Sequence, residues 1–363
     1  MNPLTSNTQA ILLLTAPLLL GRGSSATDLL TLGEYNRLAR MLRQKEKSPA
    51  DLLGDSAEEI LGWCSPRFDR ARLEDLLGRG FLLSQAVQRW QGRGIWVVSR
   101  ADAAYPRRLK ARLKEDAPPL LYGSGEPSLL DTGGLAVVGS RNIDEATVTY
   151  ANSIGRLTAE ARLTLVSGGA RGIDRAAMAG ALSTDGKVVG IMADSMERAV
   201  VAHENREPLM QGRLALVSPY DPAAGFHVGN AMQRNKVIYA LVDAALVVSA
   251  DFQKGGTWEG AIEQLERLRL VPVFVRSDPS AGKGNVALLQ RGGLSWPEPL
   301  TGFELAEAMR TGISDMAARP RQATLPFTLQ EQAPSYPAKK PSVSDRKPPP
   351  STSEGTEDKS QEE

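Results

Sequence analysis

The feature that most constrains this 363-residue chain is an alternation that begins at Gly94. Short aliphatic runs, most of them rich in Val, occupy 95–99, 135–138, 163–166, 188–192, 214–218, 244–249 and 271–275. Between several of them lie segments with apolar residues at three- and four-residue spacing, at 148–161, 174–182, 233–241 and 258–268. A strand that is apolar at every position suits burial on both faces, as in a parallel sheet sandwiched between helices. Strands that alternate with helices in this way predict an α/β fold with a doubly wound sheet, here over residues 95–312.

The flanks read differently. Residues 1–90 carry helical spacing at 29–44 and 71–90, and Ser48-Pro49 starts a fresh helix, so a small helical domain is expected there. The apolar run 11–20 has no Lys or Arg before it and is broken by Pro17, so it reads as a buried helix rather than a signal peptide or a membrane span. From 317 to 363 Pro, Ser, Lys, Glu, Gln and Thr dominate, and a disordered tail is expected, with 323–329 its only mildly apolar stretch. Net charge is +1, which excludes a generally basic protein but not a local basic face. The single cysteine, Cys64, permits no internal disulfide and fits a reducing, cytoplasmic setting. With only His203 and His227 beside it, no metal site and no cofactor are expected.

In a doubly wound sheet, ligands sit beyond the carboxyl ends of the strands, where glycine-rich turns lead into helix N-termini. Four segments have that form. The first is Gly139-Ser140-Arg141, in which Arg141 offers a planar fork to a phosphate. The second is Ser167-Gly168-Gly169-Ala170-Arg171-Gly172, followed by Asp174, which either caps the next helix or faces the pocket. The third, Arg234-Asn235-Lys236, puts two cations at an expected helix start, where they oppose the dipole unless a phosphate or a neighbouring carboxylate compensates. The fourth is Lys254-Gly255-Gly256-Thr257, with Glu259 either a first-turn carboxylate or an acid–base group. Four such loops on one sheet edge point to a polyanion or a nucleotide, although G-x-G-x-x-G and Walker A patterns are both absent.

These loops resemble the DprA/Smf family of DNA-processing proteins. The resemblance runs from about Gly94 to Leu268 through Asp102-Ala103-Ala104-Tyr105-Pro106, Pro118-Pro119-Leu120-Leu121-Tyr122, Gly139-Ser140-Arg141, Gly169-Ala170-Arg171-Gly172-Ile173-Asp174, Glu204-Asn205-Arg206 and Arg234-Asn235-Lys236-Val237-Ile238. It implies an extended Rossmann-like fold of the wider lysine-decarboxylase-like (SLOG) superfamily. It also implies a homodimer that binds single-stranded DNA, protects it and helps load a RecA-type recombinase, with no membrane association and no enzymatic activity. Arg141 and the Arg171 loop would hold phosphates, with Arg234 and Lys236 beside them. Two positions depart from the family pattern. Ala231 stands where an aromatic is usual, and the 254–259 segment resembles a shortened phosphoribohydrolase loop. A nucleotide-binding sensor or a phosphoribohydrolase-like enzyme is the alternative reading.

Overall fold

In a computed structural model, which describes residues 4–18, 28–65, 67–278 and 281–318, nine strands make one sheet. They are β1 (Trp96–Ser99), β2 (Leu120–Gly125), β3 (Leu135–Gly139), β4 (Thr164–Ser167), β5 (Lys187–Ile191), β6 (Leu214–Ser218), β7 (Ala244–Ser249), β8 (Val273–Val275) and β9 (Leu294–Ser295). Their spatial order is β1-β2-β6-β5-β4-β3-β7-β8-β9. From β6 to β9 every neighbouring pair is parallel. β1 and β2 are antiparallel to their neighbours.

All seven expected runs are strands, and the sheet is doubly wound. Two strands lie outside the expected set. β2 reads Leu-Leu-Tyr-Gly-Ser-Gly, and its glycines weaken the strand signal. Gly123 is required there because a Cβ would lie 2.1 Å from the ring of Trp96, its cross-strand partner. β9 is two residues long, too short to carry a periodicity.

Burial on both faces accounts for the continuous apolar runs. Leu135 and Val137 enter one hydrophobic cluster, and Ala136 and Val138 enter the other. The first cluster takes in the helices Glu145–Glu160 and Ile173–Leu182, and the second takes in Val228–Leu241 and Gly255–Ile262. Fully burying one such Val or Leu stabilises by about 1.5–3 kcal/mol.

The amino-terminal region is helical, with helices Ser6–Thr15, Leu32–Gln44, Ala57–Cys64, Arg70–Leu77 and Gly80–Gln91. The run at 11–14 is buried in the first of them. This region does not close a core of its own. Leu12, Leu38 and Trp90 belong to the same cluster as Tyr122, Leu216 and Val137 of the sheet. Trp90 meets Tyr122 edge to face at 5.1 Å. Arg89 adds an ion pair to Glu197. The last described helix, Gly302–Ala318, includes Ala317, where the tail was expected to begin. The rest of the expected tail, 319–363 with 323–329 inside it, lies outside the described residues.

Candidate functional site

β3 is where the winding of the sheet reverses, with β4 on one side and β7 on the other. At such a switch point the loops leaving adjacent strands diverge to opposite faces and open a crevice at the carboxyl edge. A cleft of about 770 Å³ lies there. Its walls draw on all four expected segments, through Gly139, Ser140 and Arg141, through Ala170 and Asp174, through Arg234 and Asn235, and through Lys254, Gly255, Gly256 and Thr257.

The loops are locked to one another. Gly172 has φ +82°, and a Cβ on it would lie 2.5 Å from the Ser140 carbonyl oxygen, so only glycine lets the second loop pack on the first. The Ile173 N–H donates to that same carbonyl at 3.4 Å, and the Ser140 N–H donates to Ser249 O at 3.1 Å. The Thr257 hydroxyl donates to Gly139 O at 3.0 Å, and Asn235 Nδ2 donates to Gly256 O at 2.8 Å. Thr257 and Asn235 therefore brace the cleft walls. Ser167 is fully buried and donates to Val137 O at 2.6 Å, behind the wall. Gly168, buried and carrying no side chain, makes room for two charged groups: a Cβ would fall 2.1 Å from Arg234 Nη1 and 2.6 Å from Asp174 Oδ2. Gly169, at φ +64°, turns the chain after it.

Those two groups form the floor. Asp174 does not cap the helix Ile173–Leu182. It sits in the first turn with 5% exposure and accepts the N–H groups of Gly168 (3.1 Å) and Ala170 (3.4 Å). Burial pushes its carboxyl up to about 6, against the opposing pull of Arg234 and of the loop amides. Arg234 is 6% exposed and donates through Nη1 to the Ile191 carbonyl. Its Nε has no hydrogen-bond partner among the described residues. Desolvation lowers its proton affinity, and the nearby Arg141 adds to that effect.

The expected helix start at Arg234 is corrected. The helix is Val228–Leu241, so Arg234 and Lys236 lie well inside it and face no helix N-terminus. Lys236 is compensated by a carboxylate, Glu263 at 3.5 Å, and does not line the cleft. Arg171 is exposed and also stands outside the lining. Arg141 and Lys254 are the exposed cations in the wall, with Asp251 and Glu259 as exposed carboxylates among the lining residues. Arg141 lies over the ring of Phe226, with Cζ 5.1 Å from the centroid.

Phe226, Val228 and Met232 form an apolar side of the cleft that no glycine or charge pattern announces. The signal available in the sequence was an aromatic between Gly225 and His227, in the loop joining β6 to a cation-bearing helix. Among the described residues, no group of three or more His, Cys, Asp or Glu could hold a metal ion, and no helix is long and apolar enough to cross a membrane.

Against known proteins, the family described as DNA recombination-mediator protein A matches residues 96–296, more than half of the 363. The chain belongs to that family. As a DprA/Smf protein it is 27% identical over 215 residues to DNA processing protein DprA of Bacillus subtilis (strain 168), covering 58% of this chain and 71% of that one. It is 29% identical over 244 residues to Protein Smf of Escherichia coli (strain K12), covering 64% and 62%. The X-ray structure of DNA processing protein A (DprA) from Streptococcus pneumoniae superposes with a TM-score of 0.61 at 20% identity, covering 84% of this chain and 98% of that one. That likeness establishes the DprA fold for this chain.

Proposed function

We propose that the switch-point cleft binds single-stranded DNA by its phosphodiester backbone. The observation that carries this reading is the convergence of four interlocked segments, loops and helix turns together, on one open cleft that exposes Arg141 and Lys254. Loop amides and exposed cations recognise phosphate without regard to sequence. The expected site set from Gly139 to Thr257 divides into three roles under this reading. Arg141 and Lys254 contact phosphates, and Arg171 extends the track beyond the cleft. Ser140 and the glycines Gly139, Gly255 and Gly256 bring the backbone close to the strand. Ser167, Gly168, Gly169, Gly172, Asn235, Thr257 and Arg234 build the walls and floor.

Family membership extends the proposal. The protein acts as a homodimeric, cytoplasmic mediator that protects single strands and assists loading of a RecA-type recombinase, and it is not an enzyme. The deciding experiment titrates single-stranded DNA, duplex DNA and mononucleotides side by side at several salt concentrations. Single strands are expected to bind best, with affinity falling steeply as salt rises. Arg141→Ala and Lys254→Ala should each weaken binding across sequences and reduce the salt slope by about 0.7 per lost phosphate contact. Absence of single-strand binding at low salt sinks the reading.

One observation favours a second reading, a small-nucleotide site with hydrolytic chemistry. Asp174 lines the cleft with its carboxyl pushed up to about 6, a value suited to proton transfer near neutral pH. Glu259 stands in the same wall. Release of base from a nucleoside monophosphate that is abolished by Glu259→Gln would establish it, and no release would remove it.

A further inference from the structure

Phe226 is 54% exposed, too much for a core residue, and it lines the cleft that contains Gly139 and Lys254. Its loop is held at several points. The Tyr220 hydroxyl donates to Asn230 O at 3.0 Å, the Ala223 N–H donates to Asp221 Oδ1 at 2.9 Å, and the Ser195 N–H donates to Ala224 O at 3.1 Å. The ring is thus presented to the cleft from a braced turn, and one face of it is already taken by the Arg141 guanidinium. A guanidinium and a nucleobase both bind an aromatic face, and a solvent-exposed cation–π contact is weak, about 0.5–1 kcal/mol.

We infer that Phe226 is a base-stacking platform that trades Arg141 for an unpaired base of a single-stranded nucleic acid. The incoming base takes the ring face, and the displaced guanidinium turns to the phosphate beside that base. One residue pair thereby couples base stacking to phosphate binding. A duplex is excluded because its bases are stacked on each other and offer no free face. Any base will serve, since each has a π-face, so the platform contributes affinity and strand preference without sequence preference. The aromatic reaches the cleft from the 219–227 loop, whereas position 231, within the following helix, is alanine.

This inference rests on the single-strand reading above, and its test separates the two. Two oligomers of about ten nucleotides, within the span of a typical single-strand site, are titrated in parallel: oligothymidylate, and an abasic deoxyribose-phosphate oligomer of equal length. The proteins are the full chain as wild type, Phe226→Leu, Phe226→Tyr and Arg141→Ala. Phe226→Leu keeps apolar bulk but loses the π-face. It should lose about tenfold on oligothymidylate, the scale of one base–aromatic stack, with no change on the abasic oligomer. Phe226→Tyr should keep wild-type binding, and Arg141→Ala should weaken both ligands. An equal loss on both ligands makes Phe226 a structural residue and overturns the inference, as does full retention of oligothymidylate binding by Phe226→Leu. If wild type binds neither oligomer, the single-strand reading fails and the platform fails with it. A melting temperature of Phe226→Leu equal to wild type shows that the variant is folded.

Discussion

The pair Asp174 and Arg234 shows how a single buried residue can be costly and still be built in. The Asp174 carboxyl is held at about 6, against an ordinary 3.8. Well below 3.8 it is neutral in both the folded and the unfolded chain. Between the two values the unfolded chain gives up its proton while the folded chain keeps it, so stability falls as pH rises. Above about 6 the loss is complete, at about 3 kcal/mol. Urea unfolding from pH 4.5 to 7 should therefore show wild type losing stability relative to Asp174→Asn as pH increases, and parallel curves would refute the assignment. A second contrast separates two lysines adjacent in the motif reading. Lys254 lies exposed in the cleft wall and Lys236 is paired with Glu263 outside it. Lys254→Ala should weaken single-strand binding by about an order of magnitude while Lys236→Ala leaves it unchanged, as filter-binding isotherms would record; each phosphate contact is worth that much only when it is made. At this scale the sequence marked glycines that line or support the cleft but could not rank the cations. Charge and spacing were legible. Which cation is buried at Ile191 and which is paired with Glu263 depends on where the helix Val228–Leu241 begins. Its first turn, Val228-Gly229-Asn230, shows neither periodicity nor a capping side chain.

At the scale of elements, the strands read well where Val and Leu fill both faces, and β2 read poorly because Gly123 and Gly125 replace side chains. That substitution has a packing cause. Trp96 lies across Gly123, and its Nε1 donates to Gly125 O at 3.1 Å. The pattern that hides the strand is thus the one that seats the tryptophan. On the other side of β2, Tyr122 packs edge to face with Trp90 of the helix Gly80–Gln91. Trp90 is 1% exposed. Trp90→Ala should cost about 3–5 kcal/mol, the range for removing a large buried aromatic. Chemical denaturation would measure it, and a cost below 1 kcal/mol would mean that the helices are not anchored there. Gly168→Ala tests the loop architecture in the same way. Its methyl would strike Arg234 and Asp174 together, and both stability and single-strand binding should drop, because the floor of the cleft must move.

For the whole molecule, the cluster running from Leu12 through Trp90 and Tyr122 to Leu246 predicts one cooperative unfolding transition for the described residues. The tryptophans make this testable. Trp63 and Trp90 lie in the helical region, and Trp258 and Trp296 lie beyond β7. Fluorescence and far-ultraviolet circular dichroism should give coincident curves. An early transition confined to the helices would contradict a continuous core. The alternation of Val-rich runs and helices made the fold class legible. What it could not convey was the attachment of the first 90 residues, which depends in part on β2, the antiparallel strand whose glycines weaken its signature. That attachment has a consequence in time. β2 is held to the rest of the sheet by β6, with Tyr122 opposite Ser218. At synthesis rates of about 5–20 residues per second, the ribosome delivers that partner roughly 5–20 s after β2 itself. Until then the nascent helices have no completed sheet to lie against. The amino-terminal part of this protein is therefore the first to be made, yet it cannot be seated before β6 has followed it.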